Sequence, residues 1–257
     1  MHQPRPQMQI HVVFVSLAGL IVLWWGAAFL EGDPAVLPNP RDVWALMIAE
    51  TQSGELPRHM AATLRRVGFA FGLAMIFGVL LGLALGAYTQ LNRWLGPWVV
   101  VLLNVPALVV IVLCYLWIGL NETAAITAVA VNKTAMVAVT IREGVHAFDP
   151  KLADMARVFQ MGRRKRFRHV TLPQLWPFIA SSTRNGLAII WKIVLVVEFL
   201  GRSDGVGFQI HLYFQLFETG YVLAYALSFV ALMLVIEYAV IGQIEARAVR
   251  WKTVQAQ

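Results

Sequence analysis

Six long apolar stretches dominate this chain of 257 residues and restrict what it can fold into. About 20 apolar residues in a row are enough to cross the hydrocarbon core of a bilayer, and a water-soluble domain has no use for six such runs. Charged residues make up only 14% of the chain, against about 25% in soluble domains. The sequence therefore predicts a polytopic membrane protein, and it argues against a disordered chain or an ordinary soluble enzyme.

Each stretch is expected to form a transmembrane helix, because in lipid every backbone amide has to be hydrogen-bonded within the chain. The alternation typical of β-barrel strands is not visible in the sequence. The predicted spans are residues 12–30, 67–88, 95–117, 124–141, 177–200 and 222–241. Pro106 interrupts the third and is expected to kink it, unless it is simply a tolerated membrane proline. The predicted fold is an all-α bundle of six transmembrane helices in one domain, 1–257, with a core at about 60–241.

The distribution of lysine and arginine predicts that both termini lie in the cytoplasm. Cytoplasmic loops of membrane proteins carry an excess of these residues. Thirteen of the 21 basic residues fall in the segments 1–11, 89–94, 142–176 and 242–257. Arg65 and Arg66 oppose this bias, and we expect them to snorkel from the end of the second span.

The second span carries a glycine at every fourth position, at Gly78, Gly82 and Gly86. This spacing places the three residues on nearly one helix face, where a neighbouring helix can approach closely. We interpret the stripe as a packing surface inside the bundle. The alternative is that glycine is simply frequent in membrane helices.

The largest predicted cytoplasmic loop, residues 142–176, contains a short amphipathic helix. Asp149 followed by Pro150 is typical of a helix start. Apolar residues then recur at helical spacing, at Leu152, Met155, Val158 and Phe159. The helix is predicted over about 150–161, and its apolar stripe needs a partner groove to cover it.

The same loop resembles the motif E-A-A-x3-G-x9-I-x-L-P of the permease subunits of bacterial ABC importers. The motif positions are filled here by Asp154, Met155, Ala156, Gln160, Val170, Leu172 and Pro173. The spacing is kept without a gap, but aspartate replaces glutamate, methionine replaces alanine and glutamine replaces glycine. Gly162 is expected to supply the permissive turn that the missing glycine would have provided.

Three further segments resemble the same family. The segment "WKIVLVVEFLGRSDGVGFQI" (191–210) resembles the end of its fifth span, and "VLPNPRDVWALM" (36–47) resembles its outer segment after the first span. The segment "IEARAVRW" (244–251) resembles its basic C-terminal end. Together these features are similar to the subgroup of nitrate, sulfonate and taurine importers.

The resemblance implies a type I importer (MetI-like) permease of the bacterial inner membrane, in which two permease chains pair, usually as a homodimer. It also implies two cytoplasmic ATPase subunits and a periplasmic or lipid-anchored substrate-binding protein. ATP and magnesium would be bound by the ATPase subunits, because this chain lacks the pattern G-x4-G-K-[ST]. The six histidines are scattered and no catalytic constellation is visible, so no cofactor, metal site or catalytic residue is expected in this chain, and it is not expected to be an enzyme.

The resemblance further implies that residues of the loop couple the permease to its ATPase. These residues are Asp154, Met155, Ala156, Arg157, Val158, Phe159, Gln160, Gly162, Leu172 and Pro173. The adjacent basic run comprises Arg163, Arg164, Lys165, Arg166 and Arg168. It could contact anionic lipid head groups, acidic groups on the ATPase or, least of all, nucleic acid. Membrane lipids are therefore among the expected partners of the chain, and nucleic acid is not.

Polar and charged residues inside spans four and five predict the path of the solute. Such groups are costly in lipid and are functional candidates for that reason. The candidates form one stripe of span five, with Glu198 on the adjacent face, and include two residues of span four. They are Ser181, Arg184, Asn185, Ala188, Lys192, Glu198, Asn132 and Lys133. Lys133 and Lys192 would together attract a small anion. The alternative is that the charged groups are paired with other spans.

Two other functions remain open on the sequence alone. A secondary transporter would need inverted repeats or an intramembrane acid for ion coupling. A non-transport membrane scaffold would use the basic loop only to dock another protein.

Overall fold

The computed structural model describes residues 10–236, with side chains from residue 15 onward, and over this range it is entirely helical apart from turns. The all-α prediction is confirmed. The helices are α1 (Ile10–Glu31), α2 (Pro40–Gln52), α3 (Glu55–Ala87), α4 (Thr89–Asn104), α5 (Ala107–Ile118), α6 (Glu122–His146), α7 (Pro150–Val158), α8 (Arg163–Arg166), α9 (Leu172–Gly201), α10 (Val206–Gln215) and α11 (Thr219–Ile236), with a π-helical turn at Phe167–Thr171. The segment 244–251 and most of both termini, on which the orientation prediction draws, lie outside the described residues.

Four of the six predicted spans meet the demands of length and composition. Helices α3, α6 and α11 are each long and apolar enough to cross a membrane. Helices α4 and α5 pass the same test together and are bent by 98° at the break before Pro106, so the kink expected in the third span is confirmed. The spans predicted at α1 and α9 stay predictions. Helix α9 has 30 residues but carries several charged side chains.

Helix α3 begins twelve residues before the predicted start of the second span. The first three turns are polar, so hydropathy alone placed them in a loop. Because these turns are helical, they carry Arg66 into the bundle, where only 1% of the side chain is exposed. The expectation that Arg66 snorkels is therefore wrong, whereas Arg65 is exposed.

The glycine stripe of α3 packs directly against α6. A Cβ atom at Gly78 would lie 2.5 Å from the Cβ of Val137, and one at Gly82 would lie 2.6 Å from the carbonyl oxygen of Ala138. A Cβ atom at Gly86 would lie 2.6 Å from the Cβ of Val145. The contact positions advance together, so the two helices run in the same direction with their backbones close.

Helix α9 returns through the bundle and completes its core. Near its start Phe178 packs on Gly144 of α6, and near its end Gly201 packs on Tyr115 of α5. Small residues of α3 and α6 form a buried cluster with branched residues of α9: Val67, Ala70, Ala74, Ala125, Ala128, Val129, Ile190, Ile193, Val194 and Val197. Helices α3, α6 and α9 therefore form the centre on which the other helices pack.

Helices α8 and α9 follow one another through the π-helical turn without leaving helical geometry. The backbone angles are φ −59° and ψ −47° at Arg166, and φ −63° and ψ −42° at Leu172. Pro173 therefore lies within a continuous helix that begins at Arg163.

Candidate functional site

The loop helix α7 is fixed at its start to the first turn of α9. The side chain of Asp149 accepts a hydrogen bond from the backbone N–H of Lys151 at 2.9 Å, which is an N-cap, and Pro150 occupies the first turn. The backbone N–H of Asp149 donates to Oε1 of Gln174 at 2.8 Å. This hydrogen bond links the start of α7 directly to the first turn of α9.

The C-terminal end of α7 is a Schellman motif with glutamine at the position that favours glycine. The N–H of Gln160 donates to the carbonyl of Arg157, and that of Met161 donates to the carbonyl of Ala156, both at 2.9 Å. Gln160 adopts φ 48°, in the left-handed region. The motif glycine therefore corresponds to a residue that must adopt positive φ.

Two predictions about this turn are wrong. The helix ends at Val158 instead of about 161, because the Schellman bonds reverse the chain there. Gly162 does not supply the permissive turn, since its φ is −60° and it serves as the N-cap of α8. The strain falls on Gln160 itself and costs about 1–2 kcal/mol for a residue with a side chain.

Helix α7 turns one face inward and presents an apolar face outward. Ala156 is buried, with 2% exposure, while Met155, Val158 and Phe159 are exposed at 41%, 79% and 73%. Asp154 and Arg157 form an exposed ion pair at 3.1 Å. The two remaining coupling candidates, Leu172 and Pro173, are half-buried at the start of α9. A group of large exposed apolar side chains is typical of an interaction surface.

The far end of the bundle, opposite loop 142–176, contains a buried ion-pair cluster that we define as Arg66, Glu122, Glu198 and Asp204. Arg66 donates twice to Glu122, from Nε at 2.9 Å and from Nη2 at 2.7 Å. Its Nη1 donates to Oε1 of Glu198 at 2.7 Å and to the carbonyl of Asp204 at 2.8 Å. Nη2 also pairs with the Asp204 carboxylate. All five guanidinium N–H groups are thereby used, so the buried charge is fully satisfied.

Side chains of α3 and α9 also hold the turn that leads into α10. Three consecutive backbone N–H groups, those of Gly205, Val206 and Gly207, donate at 2.9 Å to Nδ1 of His59, to Oγ1 of Thr63 and to Oε2 of Glu198, respectively. Gly205 has φ 107°, and a Cβ atom there would collide with the Glu198 carboxylate. The cluster therefore sets the start of α10 as well as the spacing of α3, α6 and α9.

Glu198 lies in this cluster and not on the polar stripe of α9. Its side chain has 0% exposure and is held by Arg66, by Thr63 Oγ1 at 2.9 Å and by the N–H of Gly207. Sequence reasoning missed the roles of Arg66, Thr63 and His59 here, because their partners across the cluster lie 56 or more residues away in the chain.

The structure brings the other path candidates of α9 together as one exposed stripe. Ser181, Arg184, Asn185 and Lys192 are exposed, and Ala188 is half-buried. The ammonium of Lys192 lies 5.5 Å from the ring centroid of Trp191. On α6, Asn132 is half-buried and Lys133 is buried among the helices, with 9% exposure. Among the described residues, no group of histidine, cysteine or acidic side chains could hold a metal ion.

Taken together, the bundle of apolar helices, the exposed apolar face of α7 and the polar stripe of α9 indicate a multi-spanning membrane transport subunit. The chain belongs to the family of binding-protein-dependent transport system inner membrane components. The sequence pattern of this family matches residues 74–246. It is the translocation subunit of a binding-protein-dependent ABC importer, and it is a transport component and not an enzyme. This membership places it in the inner membrane and implies ATPase and substrate-binding partners.

Similar proteins agree with this assignment and with the nitrate, sulfonate and taurine subgroup. The chain is 29% identical over 222 residues to the taurine transport system permease protein TauC of Escherichia coli (strain K12), covering 84% of this chain and 81% of that protein. It is 31% identical over 175 residues to the putative aliphatic sulfonates transport permease protein SsuC of Bacillus subtilis (strain 168), covering 68% and 63%. Both matches argue against a secondary transporter or a scaffold.

The fold resembles that of a solved transporter. An amino acid ABC transporter crystallised with histidines matches with a TM-score of 0.64 and 21% identity, covering 77% of this chain and 95% of that one. The type I permease fold predicted from the sequence is therefore confirmed.

Proposed function

We propose that this chain pairs with a second copy of itself and forms the path of a small anionic solute that resembles nitrate, a sulfonate or taurine. The observation that carries the proposal is the exposed stripe of α9. It presents Arg184, Asn185 and Lys192 on the surface of a single protomer. Charged groups in a span are costly against lipid, so a second permease chain or a water-filled path has to face them.

The cationic groups of α9 and α6 favour an anion. Lys192 is exposed on the stripe and Lys133 is buried on α6, and a cation in a region of low dielectric attracts a small anion strongly. The relatives named for taurine and for aliphatic sulfonates point to solutes that share a sulfonate group. We propose that Ser181, Asn185 and Ala188 line the same path, and that Asn132 borders it.

We further propose that residues 150–162 couple the path to two cytoplasmic ATPase subunits. The exposed Met155, Val158 and Phe159 would fill a groove on the ATPase, and the link from Asp149 to Gln174 would pass its movement to α9. ATP and Mg²⁺ would be bound by the ATPase subunits. A periplasmic or lipid-anchored binding protein would deliver the solute from the opposite side, with both termini of the permease in the cytoplasm.

Uptake by proteoliposomes that contain the permease, its cognate ATPase and its binding protein tests the anion path. We expect Lys133→Met and Lys192→Met to reduce the uptake of labelled taurine, while Lys192→Arg, which keeps the charge, retains most of it. Normal uptake by both methionine variants would contradict the anion path. A permease that purifies without any ATPase would contradict the coupling.

A further inference from the structure

The coupling loop contains a concavity as well as the exposed face of α7. Its volume is about 800 Å³, and it lies where the Schellman turn reverses the chain between α7 and α8. The lining residues are Met155, Phe159, Gln160, Met161, Gly162, Arg163, Arg164 and Lys165. Gln160, in its left-handed conformation, lies in the lining at the point where the chain turns from α7 towards α8.

The chemistry of the concavity is two-sided. Met155, Phe159 and Met161 provide an apolar wall. Arg163, Arg164 and Lys165 provide three positive charges, and all three side chains are exposed. Within residues 10–236 no ion pair or hydrogen bond engages these three side chains. An occupant of the concavity would therefore need apolar groups to cover the wall and about three negative charges to neutralise the cations.

We propose that this concavity receives a protruding segment of the ATPase subunit, with an apolar side chain at its tip and carboxylates beside it. The docking is then reciprocal: α7 enters a groove of the ATPase, and the ATPase enters a hollow of the permease. This inference rests on the proposed coupling function and adds the chemistry of the partner surface. Carboxylates at the rim complement the three cations and exclude partners that lack them.

The alternative occupant is a layer of anionic lipid head groups. Its binding would depend on a different set of basic residues. Arg166 and Arg168 are equally exposed and cationic, but they do not line the concavity. A lipid surface would attract the whole basic run, because its attraction depends on the number of nearby charges. A protein protrusion would depend on the three lining cations above the other two.

The experiment compares two charge reversals in the full-length permease, incorporated into lipid nanodiscs with and without phosphatidylglycerol. The test variant is Arg163→Glu, Arg164→Glu, Lys165→Glu, and the matched control is Arg166→Glu, Arg168→Glu. We expect the test variant to raise the Kd for the purified cognate ATPase roughly tenfold or more, as for close charge pairs at other interfaces. The control is expected to change the Kd by about twofold or less, with or without phosphatidylglycerol.

Two measurements need no charge reversal, so they keep the inference testable if the charge-reversed loop misfolds. The wild-type Kd should rise steeply with salt concentration, and a photo-crosslinking residue at Met161 should capture an ATPase peptide that contains aspartate or glutamate. A Kd that does not change with salt, crosslinks only to lipid, or equal effects of the two reversals would overturn the inference. If wild-type permease does not bind the ATPase at all, the proposed coupling itself fails, whereas normal binding by the test variant refutes only the reciprocal docking.

Discussion

Replacing Gln160 with glycine is expected to stabilise the turn at the end of α7. Gln160 adopts φ 48°, and the left-handed region costs a residue with a Cβ atom about 1–2 kcal/mol. Glycine removes this cost but loses about 0.5–1 kcal/mol more conformational entropy on ordering. The central values of these two ranges leave a net gain of about 0.75 kcal/mol, confined to the turn.

Hydrogen exchange at the amide of Met161 measures this gain directly. That N–H donates to the carbonyl of Ala156 at 2.9 Å, and the bond exists only while the turn is closed. A gain of about 0.75 kcal/mol in the closed turn corresponds to about three- to fourfold slower exchange. The exchange is followed by mass spectrometry with fragmentation to single residues, on the permease in detergent.

The matched control is Gln160→Ala, which keeps the Cβ atom and therefore the strain. We expect its exchange at Met161 to remain close to that of the wild type. If the glycine variant exchanges as fast as the alanine variant, the left-handed conformation does not strain Gln160 and the reasoning is refuted.

Three further substitutions test the packing described above. Arg66→Met should lower the free energy of unfolding by about 3–5 kcal/mol, because it leaves buried Glu198 unpaired. A free energy of unfolding in detergent equal to that of the wild type would contradict this. Gly82→Ala should destabilise the bundle by about 1–3 kcal/mol, while Gly72→Ala, which has open space, should be neutral or stabilising in the same melting assay. Asp149→Ala should cost about 1 kcal/mol at the N-cap and speed amide exchange in the first turn of α7, and unchanged exchange there would show that the cap contributes little.

The sequence was sufficient for features that depend on local composition. Runs of apolar residues located four of the spans, the four-residue spacing located the face of α3 that meets α6, and the proline in span three located its bend. Asp149 and Pro150 located the start of the loop helix. Each of these follows from residues within a few turns of one another, where periodicity and backbone chemistry act directly.

The ion-pair cluster could not be predicted in the same way. Arg66 lies 56 residues from Glu122 and 132 residues from Glu198, so no local pattern links them. The polar first turns of α3 also hid the fact that Arg66 is inside a helix. Gln160 was misjudged for a different reason: glycine signals a left-handed residue in a sequence, and glutamine in the same conformation gives no such signal.

The unbroken helix from Arg163 to Gly201 has a mechanical consequence. Its 39 residues extend about 58 Å at 1.5 Å per residue, nearly twice the thickness of the hydrocarbon core. A tilt of about 5° around its midpoint would displace each end by about 2.5 Å in opposite directions. Gln174, which is linked to α7, lies about 12 Å from the midpoint and would move by about 1 Å, whereas Glu198 of the ion-pair cluster lies about 24 Å from it and would move by about 2 Å. A small displacement of the loop would thus be amplified along the helix. The start of α10, which Glu198 holds on the far side of the membrane, would move with it.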